Sequence, residues 1–594
     1  MQGDVEHVDV LIVGAGPVGL ITAFQLAKFG GVSVRIIEKH AKSEQDAYGR
    51  AITLFPRTAE MLDQLGLADE LLQNCFACRD TVTYNAQGEE VGGRGWSFMK
   101  HMKDTTFDFA LVLRQKFQEE IFRNALRQHN VHVSAPIELI TASTNANIPT
   151  GEHKVTAVLS NHSSGAAEVV KCKYLIGCDG GRSSVRRIFN IAFEGSITED
   201  KWVRIDGQVE TDMPKPRSYC SIESPTHGNV LWAALDHGST RIGYAFTEDR
   251  ANGYEEFDEA AVVKEAIAAV KPFQLEFERV DWWTIYTVGQ RIAESFFVEG
   301  CVFLAGDACH THSSAAAQGM NTGIHDAVNL AWKLSLVLRG CAKPGLLETY
   351  HVERFQNILK LIEYDKDISQ LMSNHLPEKW RDNPDADVNV ILAKMLEEVG
   401  TFTSGLGISY EVGNDNPLNI EGSFRSTDPQ VKPGIRGPDI TLLRPGTFEP
   451  TRLIRELPNT SRFSVLIFTA ENQPPIPKVV YDDITYSLTV ERPILMSAYF
   501  NIRTNKKAGH LRFITIIPKP TPSPYEFLGC EPIGRVYFDG EDGAAYRRYG
   551  IELSQGVIVV LRPDGWIGTM IELGNRAAWE LESYFDKILL YRST

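Results

Sequence analysis

The chain has 594 residues, more than a single hydrophobic core usually holds, so about three domains are expected. With 43% hydrophobic and 23% charged residues it reads as a soluble globular protein, and no apolar run nears the roughly 20 residues that cross a bilayer, so no membrane anchor is expected. A formal net charge of -16 without a basic tract argues against nucleic acid as a partner, and nine scattered cysteines suit a reducing, cytoplasmic compartment.

The stretch from Val10 to Lys39 carries the first chemical signal. An apolar β-branched run leads into Gly14-Ala15-Gly16-Pro17-Val18-Gly19, then an amphipathic helix, then a second β-branched run ending in Glu38 and Lys39. That order specifies a dinucleotide site. Gly14 allows the tight turn, Gly16 lets backbone approach a pyrophosphate, Gly19 lets helix and strand pack closely, and N–H groups at the helix start beside Pro17 face the phosphates. Glu38 stands about 20 residues past the loop, where an acid accepts from a ribose 2′-OH. An ordinary glycine-rich turn would not need it.

Tyr48 to Leu65 begins as a loop carrying Arg50 and continues into a helix with Ala59, Met61, Leu62 and Leu65 at helical spacing. Arg50 is a candidate cofactor contact; an exposed loop arginine is the plain alternative. Cys75 and Cys78 form a C-x-x-C pair without a second ligand pair nearby, so chance spacing is favoured over a redox dithiol and no metal site is expected. Leu111 to Ala125 reads as a strand running into a helix, with Arg114 and Gln115 at the junction. In Tyr174 to Arg187 a strand ends in Asp179-Gly180-Gly181, a carboxylate at the carboxyl end of a buried strand, and Arg182, Arg186 and Arg187 could balance phosphate charge.

From about Arg204 to Gln290 short β-like runs alternate with turns, predicting a sheet with His237 and Tyr244 on its strands. Trp232, Trp282 and Trp283 either line an aromatic pocket or pack in the core. In Val302 to Lys333 a strand ends at Gly306-Asp307, a loop of small residues follows, and a helix starts near Gly319-Met320-Asn321, whose N–H groups can face an electron-rich ring carbonyl. His310 and His312 read as structural members of that loop. Pro377 to Pro445, rich in Pro, Gly, Asn and Asp, reads as linker and irregular surface, and SVLIFTA, HLRFITIIP, GRVYFD and GVIVVLRPDGWIGTMI as strands of a separate α/β domain.

In this order the three loops resemble those of the class A FAD-dependent aromatic hydroxylases. GDACHTH at Gly306 to His312, QGMNTG at Gln318 to Gly323 and the run Tyr286-Thr287-Val288-Gly289-Gln290-Arg291 resemble the phenol 2-monooxygenase-like branch. The resemblance implies an α/β protein: a Rossmann-type FAD-binding domain (1–200 and 290–375), an inserted β-sheet substrate domain (200–290, with parts of 75–110), a linker (376–430) and a thioredoxin-like α/β domain (431–594). Cys530 alone in that last domain excludes disulfide exchange and points to a structural or homodimer-forming role.

The same resemblance implies FAD bound by Gly14, Gly16, Pro17, Gly19, Glu38, Lys39, Arg50, Arg114, Asp179, Gly306, Asp307, Gly319, Met320 and Asn321. Glu38 would take the adenosine ribose, Arg50 and Arg114 the pyrophosphate region, Asp179 an adjacent loop, Asp307 the ribityl chain, and Gly319 to Asn321 the isoalloxazine ring. NADPH or NADH would bind transiently on the flavin domain, with Arg291 a phosphate contact. The implied reaction is hydroxylation of a small phenolic ring with O2 through a flavin C4a-hydroperoxide in a pocket kept dry. Dearomatisation, epoxidation or Baeyer–Villiger insertion on a larger metabolite, or a non-catalytic flavin-binding scaffold, are the alternatives. Tyr286, lying over the substrate, His237 and Tyr244 are the candidates to help ionise a phenol, whose pKa of about 10 keeps it neutral near pH 7. Two departures stand out. Ser314 occupies a position where relatives commonly have proline, and no carboxylate occupies Ala51 to Pro56, where phenol hydroxylases carry their base, which argues against simple phenol as substrate.

Overall fold

A computed structural model describes residues 5–590 apart from 46–48, 97–98, 100–101, 103, 248–249, 251–252, 314–316, 381, 383–386, 414–415, 472–509, 529–531, 541–542 and 575. Tyr48, Ser314 to Ala316 and Cys530 therefore lie outside the described residues.

Three strands of the first sheet matter most, because each runs into one of the sequence motifs. Glu6–Val13 pairs in parallel with Ala167–Gly177, which pairs in parallel with Val302–Leu304. The register sets Val13 against Gly177 and Gly177 against Leu304, so the glycine loop, the Asp179 loop and the Gly306-Asp307 loop leave the same sheet edge side by side. Where they approach that edge, over residues 10–13, 174–177 and 302–304, the strands are buried on both faces and are continuous apolar runs, as central parallel strands are. Val34–Ile37 flanks Glu6–Val13 on its other side and delivers Glu38 to the same edge. The helix Pro17–Phe29 starts with proline at its first turn and ends at Gly30, whose φ of 74° closes the helix as few other residues can.

The second sheet has seven strands, in the order His310–Thr311, Leu275–Ala293, Phe193–Thr211, Thr240–Phe246, Gly228–Ala234, Tyr219–Ser224 and Thr81–Tyr84. Alternation along its strands gives it two different faces. Val203, Ile205, Trp232, Ile242 and Tyr244 bury against Val262, Ala266 and Ala269 of the helix Glu259–Ala269. Trp202, Tyr219, Leu231, Ala233 and Ala245 point the other way, toward Ile52 and Phe55 of the flavin domain. His310 pairs with Ile292, sewing the Gly306-Asp307 loop to this sheet.

The third sheet has Phe463–Phe468, Leu511–Ile517 and Arg535–Phe538 in parallel at its centre, with Val557–Leu561 and Ile567–Glu572 antiparallel on one side, a thioredoxin-like arrangement. It docks on the flavin domain through an apolar cluster joining Trp332 and Leu336 to Phe463 and Phe585. Beside that cluster the buried Glu353 carboxylate accepts from Arg562 Nη2 at 2.9 Å and Lys333 Nζ at 2.8 Å. The expectation of an irregular linker over 376–430 is corrected by the helix Val388–Glu398, whose Leu392, Met395 and Leu396 join the inner face of the second sheet. No helix among the described residues is long and apolar enough to cross a membrane.

Candidate active site

Three loops meet at one wedge. Gly14 has φ +100°, and a methyl group there would lie 2.4 Å from the Cys178 carbonyl oxygen. On Gly19 it would lie 2.0 Å from the Gly14 oxygen, and on Gly306 and Gly323 it would strike Val18 Cγ2 at 2.8 and 2.6 Å. Beside Gly16 no atom lies within 4 Å of that position, so the backbone is open on the side where a phosphate would approach. Glu38 turns its carboxylate onto the loop, accepting from Ala15 N at 2.9 Å and His40 N at 3.0 Å, while Lys39 is exposed.

Asp179 and Arg186 act on the loops themselves. The Asp179 carboxylate accepts from Ser183 Oγ and Ser184 N, both at 2.6 Å, and so caps the short helix Ser184–Ile188; burial raises its carboxyl. Arg186, expected to balance phosphate charge, donates instead to Ala308 O at 2.8 Å and Gly181 O at 2.9 Å, tying the second and third loops together. Below the third loop, Asp326 accepts from Gly306 N at 3.0 Å, bonds His310 Nε2 at 2.7 Å and takes Arg354 Nε at 2.7 Å. Burial alone would raise this carboxyl, but Arg354 and His310 bring it down to about 2. Cys309, His310 and Asp326 hold potential metal-ligand atoms within 4.8 Å of one another, yet the Arg354 guanidinium already supplies the cation there. Asp307 itself is exposed at the head of the loop.

The helix Gly319–Leu338 starts beside this wedge, and its first-turn N–H groups have no acceptor within the helix. The Asn321 side chain clamps the strand Thr53–Leu54, donating to Thr53 O and accepting from Phe55 N, each at 2.9 Å. Asp365 joins the third loop to the second sheet by accepting from Ser313 N and Gln290 Nε2, both at 2.7 Å.

Of the three proposed catalytic side chains, only Tyr286 lies on the inner face, opposite Trp202, with the Arg50 guanidinium 4.6 Å from its ring centroid. Tyr244 is corrected. It lies on the opposite face, fully buried, its hydroxyl donating to Val262 O at 3.1 Å and its ionisation pushed far up by burial. His237 is corrected too, for it sits not on a strand but in the turn Asp236–Gly238 with a left-handed φ of 51°, mostly exposed and bonded to Asp236. Arg114 does not reach toward the glycine loop, because its guanidinium is held by Asp236 at 2.7 Å and Asp281 at 3.0 Å. Trp232 and Trp283 pack on the outer face.

Several residues escaped the sequence reading. Buried Arg123 donates to Ala15 O at 3.1 Å, and its Nε has no partner among the described residues, an orphan donor at the glycine loop. Arg204 and Tyr219 share the inner face with Tyr286. Nothing in their local sequence marks them except the alternation that places Arg204 beside Trp202, on the face opposite Val203.

A cradle closed to side chains at Gly14 and Gly19 and open at Gly16, a carboxylate at the end of the second strand, and an orphan guanidinium donor fit a dinucleotide, so the class is a dinucleotide-binding flavoprotein with a sheet roofing its cofactor. A family model for the FAD binding domain matches residues 7–364, and one for the phenol hydroxylase C-terminal dimerisation domain matches 414–593. The chain is 28% identical to phenol 2-monooxygenase fsqG of Aspergillus fumigatus over 99% of this chain and 97% of that one. It is 27% identical to 3-hydroxybenzoate 4-monooxygenase of Comamonas testosteroni over 98% and 95%. Among solved structures, the flavin-dependent monooxygenase PieE, crystallised with FAD and substrate, superposes with a TM-score of 0.72 at 21% identity, covering 98% of this chain and 99% of that one. Aklavinone-11 hydroxylase with FAD and aklavinone gives 0.71 at 23%, covering 99% of each chain. The chain belongs to the class A FAD-dependent aromatic hydroxylases, in the phenol 2-monooxygenase-like branch, and is an FAD-dependent monooxygenase.

Proposed function

We propose that this monooxygenase consumes NAD(P)H and O2 to hydroxylate a phenolic aromatic ring held between the flavin loops and the inner face of the second sheet. The observation that carries the reading is the convergence of the three motif loops, the second meeting the first at Gly14 and Gly19 and the third meeting it at Val18, beneath a sheet face built of Trp202, Tyr219 and Tyr286. FAD held here would supply the redox chemistry that couples NAD(P)H oxidation to insertion of one oxygen atom of O2 into the ring.

The residues around it bind, orient and exclude water. Glu38 receives the ribose, the N–H groups after Gly16 and Pro17 together with Arg123 receive the pyrophosphate, Asp307 the ribityl chain, and the N–H groups of Gly319, Met320 and Asn321 the ring. Tyr286 hydrogen-bonds the phenol oxygen, Arg50 steadies the Tyr286 ring, and the apolar wall of Ile52, Phe55 and Met372 keeps the pocket dry. Arg291, whose Nε has no partner among the described residues, serves the transient nicotinamide cofactor. The carboxyl-terminal domain pairs two subunits, and the thiol form of the eight described cysteines supports a cytoplasmic location.

Purified protein is expected to show flavin absorbance, to oxidise NAD(P)H faster when a phenol is added, and to yield a product heavier by one oxygen atom. Flavin-loaded protein that no phenol in a broad panel stimulates would overturn the reading.

A further inference from the structure

The inner face of the second sheet carries charged side chains among its aromatic and apolar ones: Arg204 beside Trp202 and Tyr286 and, next to it, the Asp206–Arg241 pair. Arg204 lies on the long strand Phe193–Thr211, two residues from Trp202 and therefore on the same face, and is 4% exposed. Its guanidinium lies 5.3 Å from the Trp202 ring centroid and 5.9 Å from that of Tyr286. Space for it is provided from the neighbouring strand, where Gly243 pairs with Arg204, and a methyl group on Gly243 would lie 2.3 Å from Arg204 Nη1. The backbone of Gly243 is ordinary extended strand, so the missing side chain serves the guanidinium and not a turn.

We propose that Arg204, laid over Gly243, receives the oxygen anion of an ionised phenol, so that the enzyme captures its substrate as the phenolate. This rests on the reading of the site as a phenol-hydroxylating pocket and names the form of the substrate. It also accounts for the absence of a carboxylate between Ala51 and Pro56: a fixed cation lowers the cost of ionisation without accepting a proton. The only bond that breaks is the phenol O–H, and the proton stays in solvent as the anion enters. Among the described residues, the charged and titratable groups facing Arg204 are Asp206 on its own strand, Arg241, Tyr219, Tyr286 and, beyond the Tyr286 ring, Arg50. Asp206 is held by Arg241 through two bonds of 2.6 and 2.8 Å, so these two charges offset each other, and Arg204 Nη1 is steadied by a bond to Val203 O at 3.1 Å.

The test titrates flavin-loaded wild type, Arg204→Met, Arg204→Lys and Gly243→Ala with 4-nitrophenol, whose phenolate is read by its absorbance, and follows NAD(P)H oxidation across pH. In the wild type the bound phenol is expected to ionise about one to three pH units below the free one. Arg204→Met should lose that displacement and bind about tenfold or more weakly near pH 7, recovering as pH rises, whereas Arg204→Lys should keep most of it. Gly243→Ala, which retains the charge but displaces the guanidinium, should behave as Arg204→Met does. It decides the matter if Arg204→Met fails to hold FAD. Wild type that binds only the protonated phenol, or binds none, overturns the assignment, as does a flavin-loaded Arg204→Met with an unchanged pH midpoint. Phenol-stimulated NAD(P)H oxidation that persists unaltered in Arg204→Met removes Arg204 alone; wild type without stimulation by any phenol removes the hydroxylase reading itself.

Discussion

Gly14 and Cys178 approach so closely that the first loop has no room for any side chain where the second passes it, with a methyl carbon 2.4 Å from a backbone carbonyl oxygen. Neither partner can yield, because the obstacle is main chain in the register of two parallel strands. Gly14→Ala is therefore expected to cost about 1–3 kcal/mol from overpacking, with further strain from its φ of +100°, and to abolish stable FAD binding. Flavin absorbance of the purified variant and an FAD titration would check this; a yellow protein with wild-type affinity would refute it.

Tyr286 and Tyr244 lie on opposite faces of one sheet, so their phenylalanine variants should part company. Tyr244→Phe is expected to lose about 1 kcal/mol of stability with its bond to Val262 and to leave phenol-stimulated NAD(P)H oxidation intact. Tyr286→Phe should unfold like wild type and lose about tenfold or more in kcat/KM. Steady-state kinetics beside thermal unfolding separates the two.

Asp326 anchors the third loop, and its folded carboxyl titrates at about 2, below the 3.8 of an unconstrained aspartate. A carboxyl depressed by folding adds stability that is fully present above its unfolded pKa and is lost as pH falls through the folded one, which for Asp326 amounts to about 2 kcal/mol between roughly pH 4 and pH 2. Wild type should thus release FAD and unfold as pH falls through that window. Asp326→Asn should be destabilised at pH 7 and show a shallower acid slope, measured by denaturant unfolding at a series of pH values.

Glu353, Lys333 and Arg562 form a buried ion cluster between the flavin domain and the carboxyl-terminal domain. Removing one member leaves charge buried without compensation, so Arg562→Ala is expected to cost about 3–5 kcal/mol. Limited proteolysis should then cut between the two domains earlier than in wild type. A Tm and digestion pattern equal to wild type would contradict this.

The C-x-x-C pair offers a quieter test. Burial pushes both Cys75 and Cys78 up to about 11, so their thiols should react slowly with thiol reagents at pH 8. Replacing both with serine should leave turnover unchanged.

What the sequence made legible was whatever repeats a local rule. Strand, glycine loop, helix, strand and acid in succession located the cradle and Glu38, and apolar runs located the strands that carry Asp179 and Asp307. Roles decided by distant partners were not readable. Arg114 looks available until Asp236 and Asp281, more than a hundred residues away, take its guanidinium. Tyr244 and Tyr286 both read as strand tyrosines, and only the pairing of Phe193–Thr211 between their strands puts them on opposite faces. Strands of nineteen residues such as Leu275–Ala293 also exceed the usual five or six, and their bulges disrupt the alternation that would otherwise assign each residue a side.

The helix Gly319–Leu338 has twenty residues and spans about 30 Å. Its opening turn lies beside the motif loops, and Trp332 and Lys333 near its other end are gripped by Asp564 and Glu353. The rod is fastened at both ends, by Asn321 to Thr53–Leu54 at its start and by Trp332 and Lys333 near its finish, so a displacement at one clasp is passed along its length to the other. A mutation at the far clasp is therefore expected to be felt at the motif loops, read as a change in the absorbance of flavin-loaded protein.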